Sequence, residues 1–81
     1  MEIMELKDLI GSVLNVPVET LTQQSGPENT VEWDSLAHIG IVAAVEQTYK
    51  VQLTMPEILS IKTIADLGNI LKNHSVKLSN L

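Results

Sequence analysis

No cysteine occurs among the 81 residues, so disulfide staples and thiolate metal sites are excluded. Arginine is missing as well, and five lysines face ten acidic residues for a net charge of −5. Nucleic-acid phosphates need Lys and Arg to replace their counterions, and an anionic membrane surface makes the same demand. Both partners are therefore disfavoured, whereas a protein with a basic patch suits an acidic surface. Phenylalanine is absent, and there is one tryptophan and one tyrosine. The core must then be aliphatic, which at helical spacing favours a helix bundle over an aromatic-rich sheet. No apolar run approaches the ~20 residues of a membrane span. The start, Met1-Glu2-Ile3-Met4-Glu5, lacks the basic segment of a signal peptide, so a cytoplasmic home is expected. A chain this short is one domain, 1–81, with one modest core and no room for a walled active-site cleft.

What is present is helical. Ile3, Leu6, Leu9, Ile10, Val13 and Leu14 recur at three- and four-residue intervals, marking one face of a first helix. Pro17 disfavours the α conformation at Val16, so this helix is expected to end near Asn15. From Pro17 to Trp33 the periodicity dissolves, and Ser25-Gly26-Pro27-Glu28-Asn29 is rich in turn formers. Leu21 is the expected anchor of this long loop, with Thr20 and Gln23 as a local cap. Asp34 is a favoured N-cap, and the second helix should run from Asp34 or Ser35 to about Lys50, burying Ile39, Val42, Val45 and Tyr49. Thr54/Glu57 and Thr63/Asp66 both have capping-box spacing. The first pair opens a short helix with Ile58, Leu59 and Ile61; the second opens a last helix with Ile64, Leu67, Ile70 and Leu71. The reading is an all-α four-helix bundle, three main helices plus one short one, ordered over about 3–72 with a flexible tail over 73–81. The predicted core is Leu6, Leu9, Ile10, Val13, Leu21, Ile39, Val42, Val45, Tyr49, Leu53, Ile58, Ile61, Ile64, Leu67 and Ile70.

The informative stretch is Glu32-Trp33-Asp34-Ser35-Leu36. Asp-Ser-Leu at the start of a second helix resembles the attachment motif of the acyl carrier protein family. The resemblance extends to Glu46 and Tyr49 near the end of that helix, to Leu53 and Glu57, and to Thr63-Ile64-Ala65-Asp66-Leu67, covering the chain from Ile3 to about Leu71. It implies a freestanding, monomeric, non-enzymatic carrier. A 4'-phosphopantetheine arm, moved from coenzyme A by a phosphopantetheinyl transferase, would be attached to Ser35, with Asp34 and Leu36 flanking the site. Acyl-loading and acyl-transferring enzymes would be the other partners, in lipid or polyketide biosynthesis or another specialised pathway. The physics agrees, because a phosphodiester at a helix N-terminus meets free N–H groups and a favourable dipole. The arm also supplies the thiol that a cysteine-free chain lacks.

Two other readings stay open on the residues. Ser35 can be a plain helix cap in a binding module without a prosthetic group. Ser35 and His38, three apart on one helix face, can be written as an esterase dyad, although no segment suggests an orienting group or an oxyanion hole. A solvated His38 beside the arm's phosphate is the expected alternative to the dyad, and His74, far away, makes no metal site with it. Trp33 is expected to pin the loop beneath the start of the second helix.

The chain departs from the family where fatty-acid carriers present acidic residues on the second helix. The positions two, five and twelve after Ser35 are Ala37, Gly40 and Gln47. A dedicated partner is therefore expected, docking through apolar contact with Leu36, Gly40, Ile41 and Ala44, with Glu46 and Glu57 among the remaining acidic groups. Peptidyl carriers usually have a Gly-rich run before the serine, and Glu32-Trp33 is not one.

Overall fold

The computed structural model describes residues 3–74, with side chains from Leu6 onward. They form α1 (Ile3–Leu14), α2 (Ser35–Tyr49), α3 (Met55–Ser60) and α4 (Ile64–Asn73), with a 3-10 turn at Val18–Thr20. No strand occurs among the described residues, and the architecture is the all-α bundle that the spacing predicts. The last helix extends to Asn73, one residue past the expected ordered part. The tail expected over 73–81 lies, from residue 75 on, outside the described residues.

Each helix end has a local cause. At the end of α1, Asn15 turns into the left-handed region at φ 60°, and the Val16 N–H donates to the Gly11 carbonyl at 3.0 Å. This is a Schellman closure, after which Pro17 prevents a restart. The end of α2 repeats the device with Lys50 at φ 58° and Val51 N–H on the Glu46 carbonyl at 3.2 Å. Both predicted capping boxes are formed, Thr54 with Glu57 and Thr63 with Asp66.

Helix α1 packs against α2 and α4. Leu6, Ile10, Val45, Ile64, Leu67 and Leu71 are wholly buried in the shared core, each worth ~1.5–3 kcal/mol of transfer free energy. Leu14, Leu21, Trp33 and Leu53 complete it from the helix ends and loops. The predicted face of α2 needs correction. Ile39 is 60 % exposed, and Ile41 takes its place at 1 % beside Val42, Val45 and Tyr49. Apolar residues lie all round α2, so periodicity among them alone did not select the buried side. The buried stripe passes through His38, a polar residue that the apolar count skipped.

The α1–α2 loop is tied to the start of α4. Ile64 N–H donates to the Ser25 carbonyl at 2.9 Å, and Ala65 N–H to the Gln23 carbonyl at 3.0 Å. These bonds satisfy donors that the first turn of a helix leaves free. Gly26 makes this approach possible, since a Cβ there would lie 1.8 Å from the Lys62 carbonyl oxygen. Thr20 does not cap with Gln23 as expected; its hydroxyl donates to the Pro17 carbonyl at 2.7 Å.

Helix α3 contributes no fully buried side chain. Its Ile58 packs partly against the core, while Met55 and Leu59 are exposed.

Candidate functional site

Ser35 is the first residue of α2 and is exposed. No hydrogen bond among the described residues engages its hydroxyl. Asp34 precedes it as N-cap, its Oδ1 accepting from the Ala37 N–H at 2.8 Å. That bond holds the first turn and leaves the serine pointing outside the cap network. A hydroxyl so placed is open to a modifying enzyme, and an anion formed on it sits where the helix dipole favours negative charge. Leu36 follows at 82 % exposure; the loop does not cover it.

Beneath the serine, Trp33 is 2 % exposed. Its indole N–H, which can only donate, meets Nδ1 of His38 at 3.0 Å. Nδ1 is therefore an acceptor, and the ring proton of neutral His38 resides on Nε2. That Nε2–H points at the Ile58 carbonyl of α3, 2.9 Å away. The expected solvated His38 is thus corrected: it is half-buried, and both ring nitrogens are committed to the fold. The Ser35–His38 dyad fails for the same reason, since no ring nitrogen is left to take the serine proton. A buried indole needs a hydrogen-bond partner, and His38 is the one polar side chain on the inward side of α2's first two turns. That requirement was the available signal for the pair.

Beside Ser35 runs a groove of about 650 Å³ between the first turns of α2, α3 and the loop. Ile39, Met55, Ile58 and Leu59 supply its apolar walls, and Trp33 and His38 also line it. Its charged groups are Glu28, Asp34 and Lys62.

The other predicted surface residues are placed differently. Ile41 is in the core and cannot meet a partner. Gly40 is half-buried against α1, where a Cβ would lie 3.3 Å from Val13 Cγ1, and Ala44 is half-buried too. The Glu46 carboxylate accepts from the Leu53 N–H at 2.9 Å and holds the α2–α3 link. Glu57 closes its capping box and pairs with His74 Nε2 at 3.0 Å. Its carboxyl is held below the ordinary value of 4.5, first by the Thr54 N–H and next by His74. Among the described residues no cluster of three or more His, Cys, Asp or Glu could hold a metal ion.

A family model described as a phosphopantetheine attachment site matches residues 5–71. The chain belongs to that family. It is also similar to the acyl carrier protein of Coprothermobacter proteolyticus, 27 % identical over 70 residues that span 86 % of this chain and 85 % of that protein. As a member of this family it is a carrier rather than a catalyst, and its cofactor is covalently attached 4'-phosphopantetheine. The residues present fit such a group, since an unengaged hydroxyl at a helix N-terminus is what a phosphodiester requires. Carrier proteins of this family work with phosphopantetheinyl transferases and with acyl-handling enzymes. No helix among the described residues is long and apolar enough to cross a membrane.

Proposed function

We propose that Ser35 is the attachment residue and that this carrier serves a dedicated partner set, in the cytoplasm, rather than general fatty acid synthesis. The observation that carries the attachment is the free, exposed hydroxyl of Ser35 at the first position of α2, held there by the Asp34 cap. In the loading step the Ser35 oxygen forms a phosphodiester bond with the pantetheine phosphorus of coenzyme A. The bond to the adenosine bisphosphate leaving group breaks, and the hydroxyl proton passes to the transferase. Once bound, the arm's thiol supplies the thioester chemistry. The chain's part is to present the cargo at high effective concentration to each enzyme.

The dedicated partner is inferred from charge. Ala37, Gly40 and Gln47 leave α2 without the acidic row of fatty-acid carriers, and Glu46 and Glu57 are engaged internally. Docking is then centred on exposed, apolar Leu36. Ile41 drops out of that surface because it is buried, while half-buried Gly40 and Ala44 offer little of it.

Intact-protein mass after incubation with coenzyme A and a promiscuous phosphopantetheinyl transferase tests the site. The parent should gain one phosphopantetheine unit and Ser35→Ala none. A gain that persists in the variant places the attachment elsewhere. No gain in a folded parent, with a working transferase control, points to a binding module without the arm. Efficient elongation of the loaded protein by a generic fatty-acid ketosynthase would sink the dedicated-partner reading.

A further inference from the structure

The family match leaves open where the carried chain resides, and the arrangement below Ser35 bears on that. Three groups lie in series across the seam between α2 and α3: the Trp33 indole N–H, the His38 ring and the Ile58 carbonyl, with contacts of 3.0 and 2.9 Å. The Trp33 and His38 rings are 6.1 Å apart, tilted by 37°. Both rings line the groove, and Trp33, at 2 % exposure, belongs to the same core as Ile41, Val45 and Ile64, which are at most 1 % exposed. The Ile58 carbonyl belongs to the helix with no fully buried side chain, so the His38 bond is one of the few ties holding α3 against α2.

We propose that Trp33, His38 and Ile58 form a latch that seals the α2–α3 seam, so that an aliphatic acyl cargo stays in the surface groove and does not enter the bundle. This rests on Ser35 as the attachment point. Opening the seam would break both hydrogen bonds. It would strand the buried Trp33 indole N–H, at the desolvation cost of that group, and would leave the Ile58 carbonyl with the Ile61 N–H alone, at 3.4 Å. An alkyl chain offers neither group a replacement. The groove outside the latch is suited to an aliphatic chain instead. Ile39, Met55 and Leu59 are exposed there among the described residues, and Ser35 itself lines it. Its two inner polar side chains, Trp33 and His38, spend their hydrogen bonds on each other and on Ile58. With Glu28, Asp34 and Lys62 as its charged groups, the groove meets an aliphatic acyl chain through Ile39, Met55, Ile58 and Leu59.

The test uses the full chain loaded enzymatically from acetyl-, butyryl- and octanoyl-coenzyme A, observed by methyl and indole NMR. Lengthening the cargo should shift the methyl resonances of Ile39, Met55 and Leu59. Those of Val45, Ile64 and Leu67 and the Trp33 indole proton should stay where the acetyl form has them. In His38→Ala the octanoyl form should shift Val45 and Ile64 as well. Trp33→Phe keeps most of the bulk but removes the donor, and serves as the second variant if His38→Ala does not fold; it should show the same spread. Octanoyl-dependent shifts at Val45 or Ile64 in the parent overturn the latch. Absence of shifts at all three groove residues overturns the groove as the cargo's place. Failure of the folded parent to acquire any arm is read separately, by mass, and overturns the attachment reading on which the latch depends.

Discussion

Gly26 passes so close to the chain before α4 that a methyl group there would fall 1.8 Å from the Lys62 carbonyl oxygen. The obstruction is backbone, not the end of a flexible side chain, so no rotamer change relieves it. Gly26→Ala must push the loop away from α4, and the Ser25 and Gln23 carbonyls would lose their bonds to Ile64 and Ala65. The expected loss is at least ~2 kcal/mol, at the scale of overpacking a tight contact. Thermal unfolding would read this as a fall of about 8 °C or more for a domain of this size. A variant within 2 °C of the parent would show that the loop docks more loosely than this. Leu36 makes the opposite case. It is 82 % exposed and packs against nothing that folding needs. Leu36→Glu should therefore leave the unfolding temperature almost unchanged while lowering kcat/KM of the cognate acyl-transferring enzyme by about tenfold or more, the effect of burying a charge in an apolar contact. Unchanged transfer would remove Leu36 from the docking surface.

Among the elements, α3 is the one held by polar ties rather than by a buried face. Glu57 is central to it, through the Thr54 capping box and the His74 pair. A carboxyl whose value is lowered in the folded state stabilises the fold while it is ionised. That contribution is fully present above the ordinary value of 4.5 and is lost as the pH falls through the lowered one. Amide exchange across residues 54–60, corrected for intrinsic rates, should quicken as the pH falls below 4.5, before the α1 and α2 cores respond. Glu57→Gln should abolish that pH dependence. Simultaneous loss of all four helices would argue against α3 as a separate, weaker unit. The end of α2 offers a gain. Lys50 holds a left-handed conformation that costs a non-glycine residue ~1–2 kcal/mol. Lys50→Gly should stabilise the protein by about 0.5–1 kcal/mol after glycine's greater unfolded-state entropy is subtracted, seen as a higher urea midpoint with an unchanged slope.

The element scale also shows what the sequence made legible. Helix boundaries came through because their signals are local: Pro17 after α1, Asp34 before α2, and two capping boxes that need only four consecutive residues each. The position of Ser35 was legible for the same reason. The inward face of α2 was not, because Leu36, Ala37, Ile39, Ile41, Ala43 and Ala44 leave no polar side to contrast with. Choosing Ile41 over Ile39 takes knowledge of where α1 and α4 lie. The Trp33–His38–Ile58 chain was hidden by distance, since its acceptor on α3 is twenty residues from His38 and no periodicity reports such a pairing.

For the whole molecule, the question is how an acidic carrier meets its partner if docking centres on Leu36, as proposed. The net charge of −5 gives a general attraction to a basic surface, but orientation depends on charges near the contact. On α2, half-buried Ala37 and Gly40 and exposed Gln47 carry none at the positions where fatty-acid carriers have acids. The nearby carboxylates of Asp34, Glu46 and Glu57 are bonded to Ala37, Leu53 and Thr54 N–H groups respectively. An encounter steered by charge slows steeply as salt shortens the screening length from ~10 Å at 0.1 M to ~3 Å at 1 M. An encounter completed by an apolar spot such as Leu36 does not, since salt leaves apolar burial intact or strengthens it. The kcat/KM for transfer to or from this carrier by its cognate enzyme should therefore change by less than about threefold over that range of salt. A fatty-acid carrier with its own acidic second helix, measured beside it with its own ketosynthase, should lose tenfold or more. A steep salt dependence for this carrier, relieved by removing Glu28 or Glu32 from the loop, would move the docking surface from Leu36 to the loop before α2.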